Sequence, residues 1–579
     1  MGIPGGINAQ WAGLIVEELV RCGVKTFVFS PGFRSAPLNL AAHEHPDTKC
    51  IVHFDERGSA FFALGYGRTN ISPAAWITTS GTAAVNGYPA VVEASMDGVP
   101  LICLTADRPP ELRETKANQT IDQVKLFGSY PKWFVDLPPP DNALDGAYVL
   151  TTIDQAVARA RSGPVHLNCM FREPLVYEQP TAAGLPHHLK IWQAGKEPFT
   201  TYTPPECTLP DLTLLARKAA VHGPGIIVAG RVRRPEEGRA ISQLAKKLGW
   251  PLLADIGAQV SVESAGSGIT VQHFDLLLKS ESFASAHEPR AVLHIGGPFV
   301  SKSLLQHLAR CRPDFYMLAA PTGERIDPLH CVTHRVVGEI PDFCATFGRK
   351  WQPKHRASAW TRAWCHAGER IEQALESVLD GPTGELGEPF VIRAVSRLIP
   401  AHHTLTIASS MPVRDLQMFG CGLHDTHVAS NRGASGIDGT VATAAGVAAG
   451  KGGGGTALLG DLALLHDLNS LALIREFGLT LIVLNNNGGG IFNFLPFNRP
   501  FDTFERVVGT PHGLDFRHAA QMFGLNYEKP ASRSAFEDAY AQAVKGRGAT
   551  LIEIVTDREQ NVTFHRELYD LAKQTVEQN

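Results

Sequence analysis

Residues 456–492 read TALLGDLALLHDLNSLALIREFGLTLIVLNNNGGGIF. Thr456–Leu459 and Leu479–Leu484 are short apolar runs of strand length, and the stretch between them has helical length and composition. A strand, a helix and a return strand in that order build a parallel sheet covered by helices. Gly460 closes the first strand and Asp461 opens the helix. Asn485-Asn486-Asn487-Gly488-Gly489-Gly490-Ile491-Phe492 follows the second strand. The 25 residues from Asp461 to Asn486 (486 − 461) leave room for one helix and one strand. Both residues are thus expected at the carboxyl ends of neighbouring strands, where open α/β sheets bind ligands.

The residue types point to a phosphorylated ligand. A phosphate at Asp461 meets free backbone N–H groups and the positive end of the helix. A diphosphate carries excess negative charge and calls for a divalent cation. Magnesium takes an octahedron of oxygens at about 2.0–2.1 Å, substrate phosphates among them. Asp461 offers a carboxylate, Asn486 an amide oxygen and Gly488 a backbone carbonyl. A lone Gly-Asp or Asn-Gly turn carries no such meaning; the combination in a strand–helix–strand setting does.

Working outward, the same α/β rhythm runs through the chain. Strands are expected at Thr26–Ser30, Trp76–Thr79, Leu101–Thr105 and Val165–Asn168, after a helix over Ala9–Cys22. A proline-rich stretch from about Glu178 to Pro210 reads as a linker. The middle third has strands at Gly225–Ala229, Leu252–Asp255, Ala291–Ile295 and Phe315–Ala319. A second connection, about Gly348–Pro389, holds a helix over Ala357–Leu379. Further strands are expected at Thr404–Ala408 and Thr550–Ile554. The fold class is α/β, three domains with parallel sheets covered by helices, over residues 1–185, 206–347 and 385–579.

Composition excludes several alternatives. The chain has 579 residues, too many for one ordinary domain. Charged residues make up 19%, against about 25% on average, and the net charge of −4 gives no general pull on nucleic acid or anionic membranes. No apolar run of about 18 residues suggests a membrane span, and the N-terminus lacks the pattern of a secretory signal. The ten cysteines form no C-x-x-C pair, as expected of free thiols in a cytoplasmic protein.

The Gly460-Asp461…Asn485-Asn486 segment resembles the motif of thiamine-diphosphate enzymes. It departs at Leu462, where many members have glycine, a position that serves mainly through its backbone. The resemblance implies a pyrimidine-binding (PYR), central and diphosphate-binding (PP) domain order. It implies thiamine diphosphate with Mg2+, or Mn2+ as the alternative, with Asp461, Asn486 and Gly488 as metal ligands. Gly460, Leu462, Ser435, Gly436 and Ile437 would help hold the cofactor, and Ile491 would be the apolar wedge that bends it. The family also needs a carboxylic acid, usually from a partner subunit, at N1′ of the aminopyrimidine. Glu56, in His53-Phe54-Asp55-Glu56-Arg57-Gly58 ahead of the apolar helix Ser59–Gly67, matches that catalytic residue. Burial would raise its pKa. Asp55 is the alternative, although the family pattern places the glutamate second.

Four further motifs narrow the resemblance. They are Ser30-Pro31-Gly32-Phe33-Arg34-Ser35-Ala36-Pro37-Leu38, Thr79-Ser80-Gly81-Thr82-Ala83, Leu104-Thr105-Ala106-Asp107-Arg108-Pro109-Pro110-Glu111 with Ala117-Asn118-Gln119, and Ser430-Asn431-Arg432-Gly433-Ala434-Ser435-Gly436-Ile437-Asp438-Gly439. Together they resemble the MenD family of the menaquinone pathway, the 2-succinyl-5-enolpyruvyl-6-hydroxy-3-cyclohexene-1-carboxylate (SEPHCHC) synthases. The resemblance implies decarboxylation of 2-oxoglutarate and conjugate addition of the succinyl carbanion to isochorismate. It also implies a homodimer or homotetramer with the active site at the subunit interface. Ser410 and Arg414 would grip the succinyl carboxylate. Arg34, Arg108, Gln119 and Lys302 would surround isochorismate, Arg432 would help close the pocket, and Phe492 and Leu495 would wall it. The charge pattern agrees: both substrates are dianions, and arginine suits bidentate carboxylate binding. Arg34, Arg108, Arg414 and Arg432 are all expected in strand-end loops. Two positions depart from the family: Phe33 replaces a serine after Pro-Gly, and Gly490 replaces a frequent glutamine.

Three competing readings make different demands. Another thiamine-diphosphate decarboxylase or carboligase predicts Thr-Ser-Gly-Pro-Gly where Thr82-Ala83 stands. A non-catalytic homologue predicts loss of Asp461, Asn486 or Glu56. A dinucleotide oxidoreductase needs G-x-G-x-x-G after a strand, whereas the glycine run at 452–455 precedes one.

Overall fold

The structure is a computed structural model. It describes residues 6–70, 72–176, 187–203, 208–260, 268–352, 358–423, 426–496, 501–546 and 548–577. It contains three sheets, each with all its strands parallel.

The first sheet comprises β1 (Thr26–Phe29), β2 (Lys49–Val52), β3 (Ala74–Thr78), β4 (Leu101–Asp107), β5 (Trp133–Leu137) and β6 (Pro164–Met170), in the order β2-β1-β3-β4-β6-β5. The second comprises β7 (Gly225–Ala229), β8 (Leu252–Ala254), β9 (Ala291–Ile295), β10 (Phe315–Ala320) and β11 (His334–Val337), in the order β11-β10-β9-β7-β8. The third comprises β12 (Thr404–Ile407), β13 (His427–Ala429), β14 (Gly455–Gly460), β15 (Thr480–Asn485), β16 (Asn526–Glu528) and β17 (Thr550–Val555), in the order β13-β12-β14-β15-β17-β16.

Five strands were not legible as apolar runs: β2, β5, β11, β13 and β16. Each is a sheet edge. An edge strand has one neighbour and a partly wet face, so its residues need not be apolar. β3, β4 and β6, by contrast, are buried along their whole length.

The chain divides into two compact units. One holds residues 1–204, 431–453 and 463–477, and the other holds 205–430, 454–462 and 478–579. In the first, Trp11, Leu14, Phe27, Ile77, Leu104 and Leu167 belong to one core around the first sheet. The helices Glu56–Thr69 and Thr440–Lys451 meet backbone to backbone: a Cβ on Gly65 would lie 2.3 Å from the Thr443 carbonyl oxygen, and one on Gly446 would lie 2.1 Å from that of Phe62.

The proline-rich stretch is not all loop. Pro180, Pro186, Pro204 and Pro205 lie outside the described residues, but His187–Ala194 is a helix. Its buried Trp192 donates from Nε1 to Glu18 Oε2 at 2.7 Å. Arg21 donates to the Trp192 carbonyl at 2.7 Å and stacks on the indole. Tertiary packing, which local composition does not encode, makes this segment regular.

In the second unit, a core including Leu253, Val292, Phe390, Ile482 and Ile552 takes in Ile371 and Leu375 of the helix Ser358–Leu379. Its sequence-predicted start, Ala357, lies outside the described residues. A second core, including Ile227, Leu244, Leu293 and Phe347, surrounds the other face of the second sheet.

Candidate active site

In the first unit, β1 runs into the turn 30–35 and the helix Ala36–Glu44 begins after it. Gly32 permits a close approach to the loop after β3, since a Cβ there would lie 2.3 Å from Thr79 Cβ. The two loops border a pocket of about 370 Å3. Its lining brings together Arg34, Glu56, Arg108 and Gln119, four of the residues singled out from the sequence. Asn86, Glu173 and Leu175 also line it and carry no sequence signal of their own.

Asp55 and Glu56 separate by role. Asp55 caps the helix Glu56–Thr69, accepting from the amides of Arg57 at 3.0 Å and Gly58 at 3.3 Å. It also accepts from Asn469 Nδ2 at 2.9 Å. Burial acts to raise its pKa, but the bonds from Asn469 and the two amides, with the Arg57 charge, leave it lowered. With the cap supplied by Asp55, the half-buried Glu56 faces the pocket.

The cations are held from behind. Buried Arg34 donates to the Phe171 carbonyl at 2.8 Å and to Glu173 Oε1 at 3.0 Å. Arg108 bonds Ser80 Oγ and donates to the Gln119 carbonyl at 3.0 Å. Burial lowers its pKa, and the Arg34 charge adds to that. Gln119 sits at φ 56° and donates from Nε2 to the Ser80 carbonyl at 3.0 Å. Gln123, unread in the sequence, takes the Gly81 amide at 2.8 Å and donates to Asn168 Oδ1 at 2.9 Å. Phe33 lines the pocket while 73% exposed.

Arg432, Ser435, Gly436 and Ile437 lie elsewhere in this unit, on the loop before the helix Thr440–Lys451, and do not line that pocket. Glu93 anchors the loop by accepting from the amides of Gly433 at 2.8 Å and Ala434 at 2.6 Å. Ser435 is at φ 63°.

In the second unit, Gly460 pairs with Leu484 in register, which sets Asp461 beside the asparagine run, as the spacing predicts. Asp461 is 1% exposed. Its Oδ1 accepts from the Leu462 amide at 2.6 Å and its Oδ2 from the Gly488 amide at 2.9 Å. His512 Nε2 lies 3.1 Å from the same Oδ2. Gly488 is at φ 135°, and a Cβ there would lie 2.1 Å from the Gly509 carbonyl oxygen, so only glycine fits.

The three asparagines do three different things. Asn485 donates to Glu553 Oε1 at 2.6 Å and to the Leu514 carbonyl at 2.9 Å. Asn487, at φ 60°, accepts from the amides of His512 at 2.9 Å and Gly513 at 2.7 Å. Asn486 donates to Glu388 Oε1 at 2.9 Å, and its own Oδ1 is buried without a hydrogen-bond partner among the described residues. A buried acceptor left open costs free energy unless something occupies it. An amide oxygen, a carboxylate and a backbone carbonyl, the atoms that Asn486, Asp461 and Gly488 offer, are donors of the kind magnesium takes.

Ser410, at φ 75°, immediately precedes the helix Met411–Phe419, and Arg414 Nη1 bonds back to its carbonyl. Arg414 therefore lies on a helix and not in a strand-end loop, a correction to the sequence expectation; Pro412 in the first turn is compatible with a helix start. Burial lowers the Arg414 pKa, against Asp415 and Asp275. Lys302 is exposed at the first turn of the helix Lys302–Cys311. Ile491 is half-buried, and Phe492 and Leu495 are exposed in and after the 3-10 turn Gly490–Phe494.

Three family models match consecutive stretches of the chain. The N-terminal TPP (thiamine pyrophosphate, the diphosphate) binding domain of thiamine pyrophosphate enzymes matches residues 10–126, the middle domain 185–407, and the C-terminal TPP binding domain 416–554. The SEPHCHC synthase of Rubrobacter xylanophilus is 48% identical over 97% of this chain and 98% of its own length. That of Salinibacter ruber is 46% identical over 98% and 97%, and that of Aeromonas salmonicida 40% identical over 94% and 95%. The crystal structure of benzoylformate decarboxylase from Polynucleobacter necessarius shares the fold, with a TM-score of 0.69 over 94% of this chain and 98% of that one, at 14% identity. The chain thus belongs to the SEPHCHC synthases, a family of thiamine-diphosphate enzymes.

Proposed function

We propose that the chain decarboxylates 2-oxoglutarate and adds the succinyl carbanion to isochorismate, using thiamine diphosphate and Mg2+, and so forms SEPHCHC for menaquinone biosynthesis. The observation that carries this reading is the convergence of Glu56, Arg34, Arg108 and Gln119 on one pocket, in a chain 48% identical to a SEPHCHC synthase. Thiamine diphosphate, when bound, supplies the electron sink that 2-oxo acid decarboxylation requires. Glu56 presents its carboxyl group to the pocket for proton transfer. Asp461, Asn486 Oδ1 and the Gly488 carbonyl hold the cation, and Gly460, Leu462, Ser435, Gly436, Ile437 and Ile491 contact the cofactor.

Arg34, Arg108, Gln119 and Lys302 bind the acceptor's carboxylates, and Ser410 and Arg414 bind the donor's distal carboxylate. Arg432 helps close the substrate site of the assembled enzyme, and Phe492 and Leu495 form its apolar wall. Arg34 and Arg108 suit this work because backbone carbonyls already fix their forks, so little ordering is left to be done on binding. The chain works as a homo-oligomer, dimer or tetramer, in which Glu56 of one subunit serves the cation site of another. The exposure of Phe33 and Phe54 supports that reading. Nine cysteines among the described residues are free thiols, which supports a cytoplasmic location.

The deciding assay follows carbon dioxide released from 2-oxoglutarate by the purified, cofactor-loaded enzyme, with and without isochorismate. Release from 2-oxoglutarate and an adduct only when isochorismate is present are expected. Release from pyruvate but not from 2-oxoglutarate overturns the substrate assignment.

A further inference from the structure

Asn486 can bind a cation only if its amide is turned the right way. A rotation of half a turn about its last side-chain bond exchanges oxygen for NH2 and would aim two N–H donors at the metal. Nothing in the Asn-Asn-Asn-Gly-Gly-Gly run itself fixes that rotation.

The structure assigns the fixing to Glu388, 98 residues earlier in the chain. It is the first residue of the helix Glu388–Leu398 and is 1% exposed. Its Oε1 accepts from Asn486 Nδ2 at 2.9 Å and from Thr556 Oγ1 at 3.1 Å. We propose that Glu388 is a positioning residue: by accepting from Nδ2 it sets the Asn486 amide so that Oδ1 faces the cation. The flipped amide would turn its oxygen towards Oε1, which already accepts from Thr556, and would give up the hydrogen bond from Nδ2. Asn486 Oδ1 is buried without a hydrogen-bond partner among the described residues, as the inference requires. Partners of this kind orient the groups that ligate a metal, and their loss typically weakens affinity about 10–100-fold. The inference rests on Asn486 being a metal ligand, as proposed above.

The test is calorimetric titration of Mg2+ into the full-length protein with saturating thiamine diphosphate, together with the unfolding midpoint of the metal-free protein. Glu388→Leu is expected to weaken Mg2+ by about tenfold or more, and Glu388→Asp, which keeps the charge but shortens the reach, to do the same. Glu388→Gln still offers an oxygen to Nδ2 and is expected to stay within about threefold of wild type. In an Asn486→Ala background, Glu388→Asp is expected to add less than about twofold, because Glu388 acts through Asn486. Wild-type Mg2+ affinity in Glu388→Asp overturns the proposal, and so does an equal loss with and without Asn486, which marks a general structural role. If Asn486→Ala itself leaves Mg2+ affinity unchanged, the metal assignment fails and the inference with it. Should Glu388→Leu not fold, Glu388→Asp and the double variant still decide.

Discussion

At the scale of single residues, two neighbouring acids and three neighbouring asparagines divide their labour through tertiary contacts. Asp55 spends its carboxylate on the amides of Arg57 and Gly58, which leaves Glu56 for the pocket. Glu56→Gln is accordingly expected to lower turnover about 100-fold or more, the range for loss of a general acid–base group. Thiamine-diphosphate affinity should change by less than about threefold, because the carboxyl is needed for proton handling more than for holding the diphosphate. Steady-state kinetics beside calorimetry separate the two; near-normal turnover would remove Glu56 from this role. The Asn-Asn-Asn run was legible as a motif, but its split into loop anchor, open acceptor and amide cap depends on Glu553, Glu388 and His512, which are remote in sequence.

At the scale of elements, two contacts carry measurable consequences. Alanine at Gly446 would drive a methyl group into the Phe62 carbonyl, and both helices are too close to yield cheaply. Gly446→Ala is expected to destabilise by about 1–3 kcal/mol and lower the unfolding midpoint. Gly13→Ala, in the helix Ile7–Arg21 with nothing within 4 Å of the added carbon, is the control. It should be neutral or stabilising by about 0.5–1 kcal/mol, since alanine loses less entropy in a helix than glycine. Equal midpoints for the two variants would contradict the backbone contact.

The second contact ties the helix His187–Ala194 and the residues after it to Glu18 and Asp154. Glu18 accepts from Trp192 and the Phe199 amide, and Asp154 from Cys22 and the Thr200 amide. Burial, with the hydrogen bond to Asp154 and its charge, pushes Glu18 up to about 8 from about 4.5. The folded chain therefore keeps a proton that the unfolded chain has already lost over that interval. The stability this contributes is fully present below about pH 4.5 and is lost as pH rises towards about 8. Glu18→Gln, which needs no proton, is expected to flatten the fall of the unfolding midpoint across the window. An unchanged slope would refute the assignment.

At the scale of the whole molecule, the proposal of a site shared between subunits predicts more than one chain. Light scattering on the purified protein should give the mass of two or four chains of 62.6 kDa, and a monomer with full activity would overturn the shared-site reading. Phe33 lines the pocket while exposing an apolar ring.

The sequence by itself determined the three parallel sheets, because their inner strands are buried on both faces and must be apolar. It also determined that Asp461 and Asn486 stand side by side, because a sheet puts residues at the ends of adjacent strands together whatever the rest of the chain does. The tertiary structure alone decided the edge strands β2, β5, β11, β13 and β16, the helix within the proline-rich stretch and the helical setting of Arg414. It alone placed Glu388 against Asn486, Gln123 against Gly81 and Glu173 against Arg34. Each of these depends on a partner far along the chain, and a hydrogen bond between remote residues leaves no local period or spacing to read.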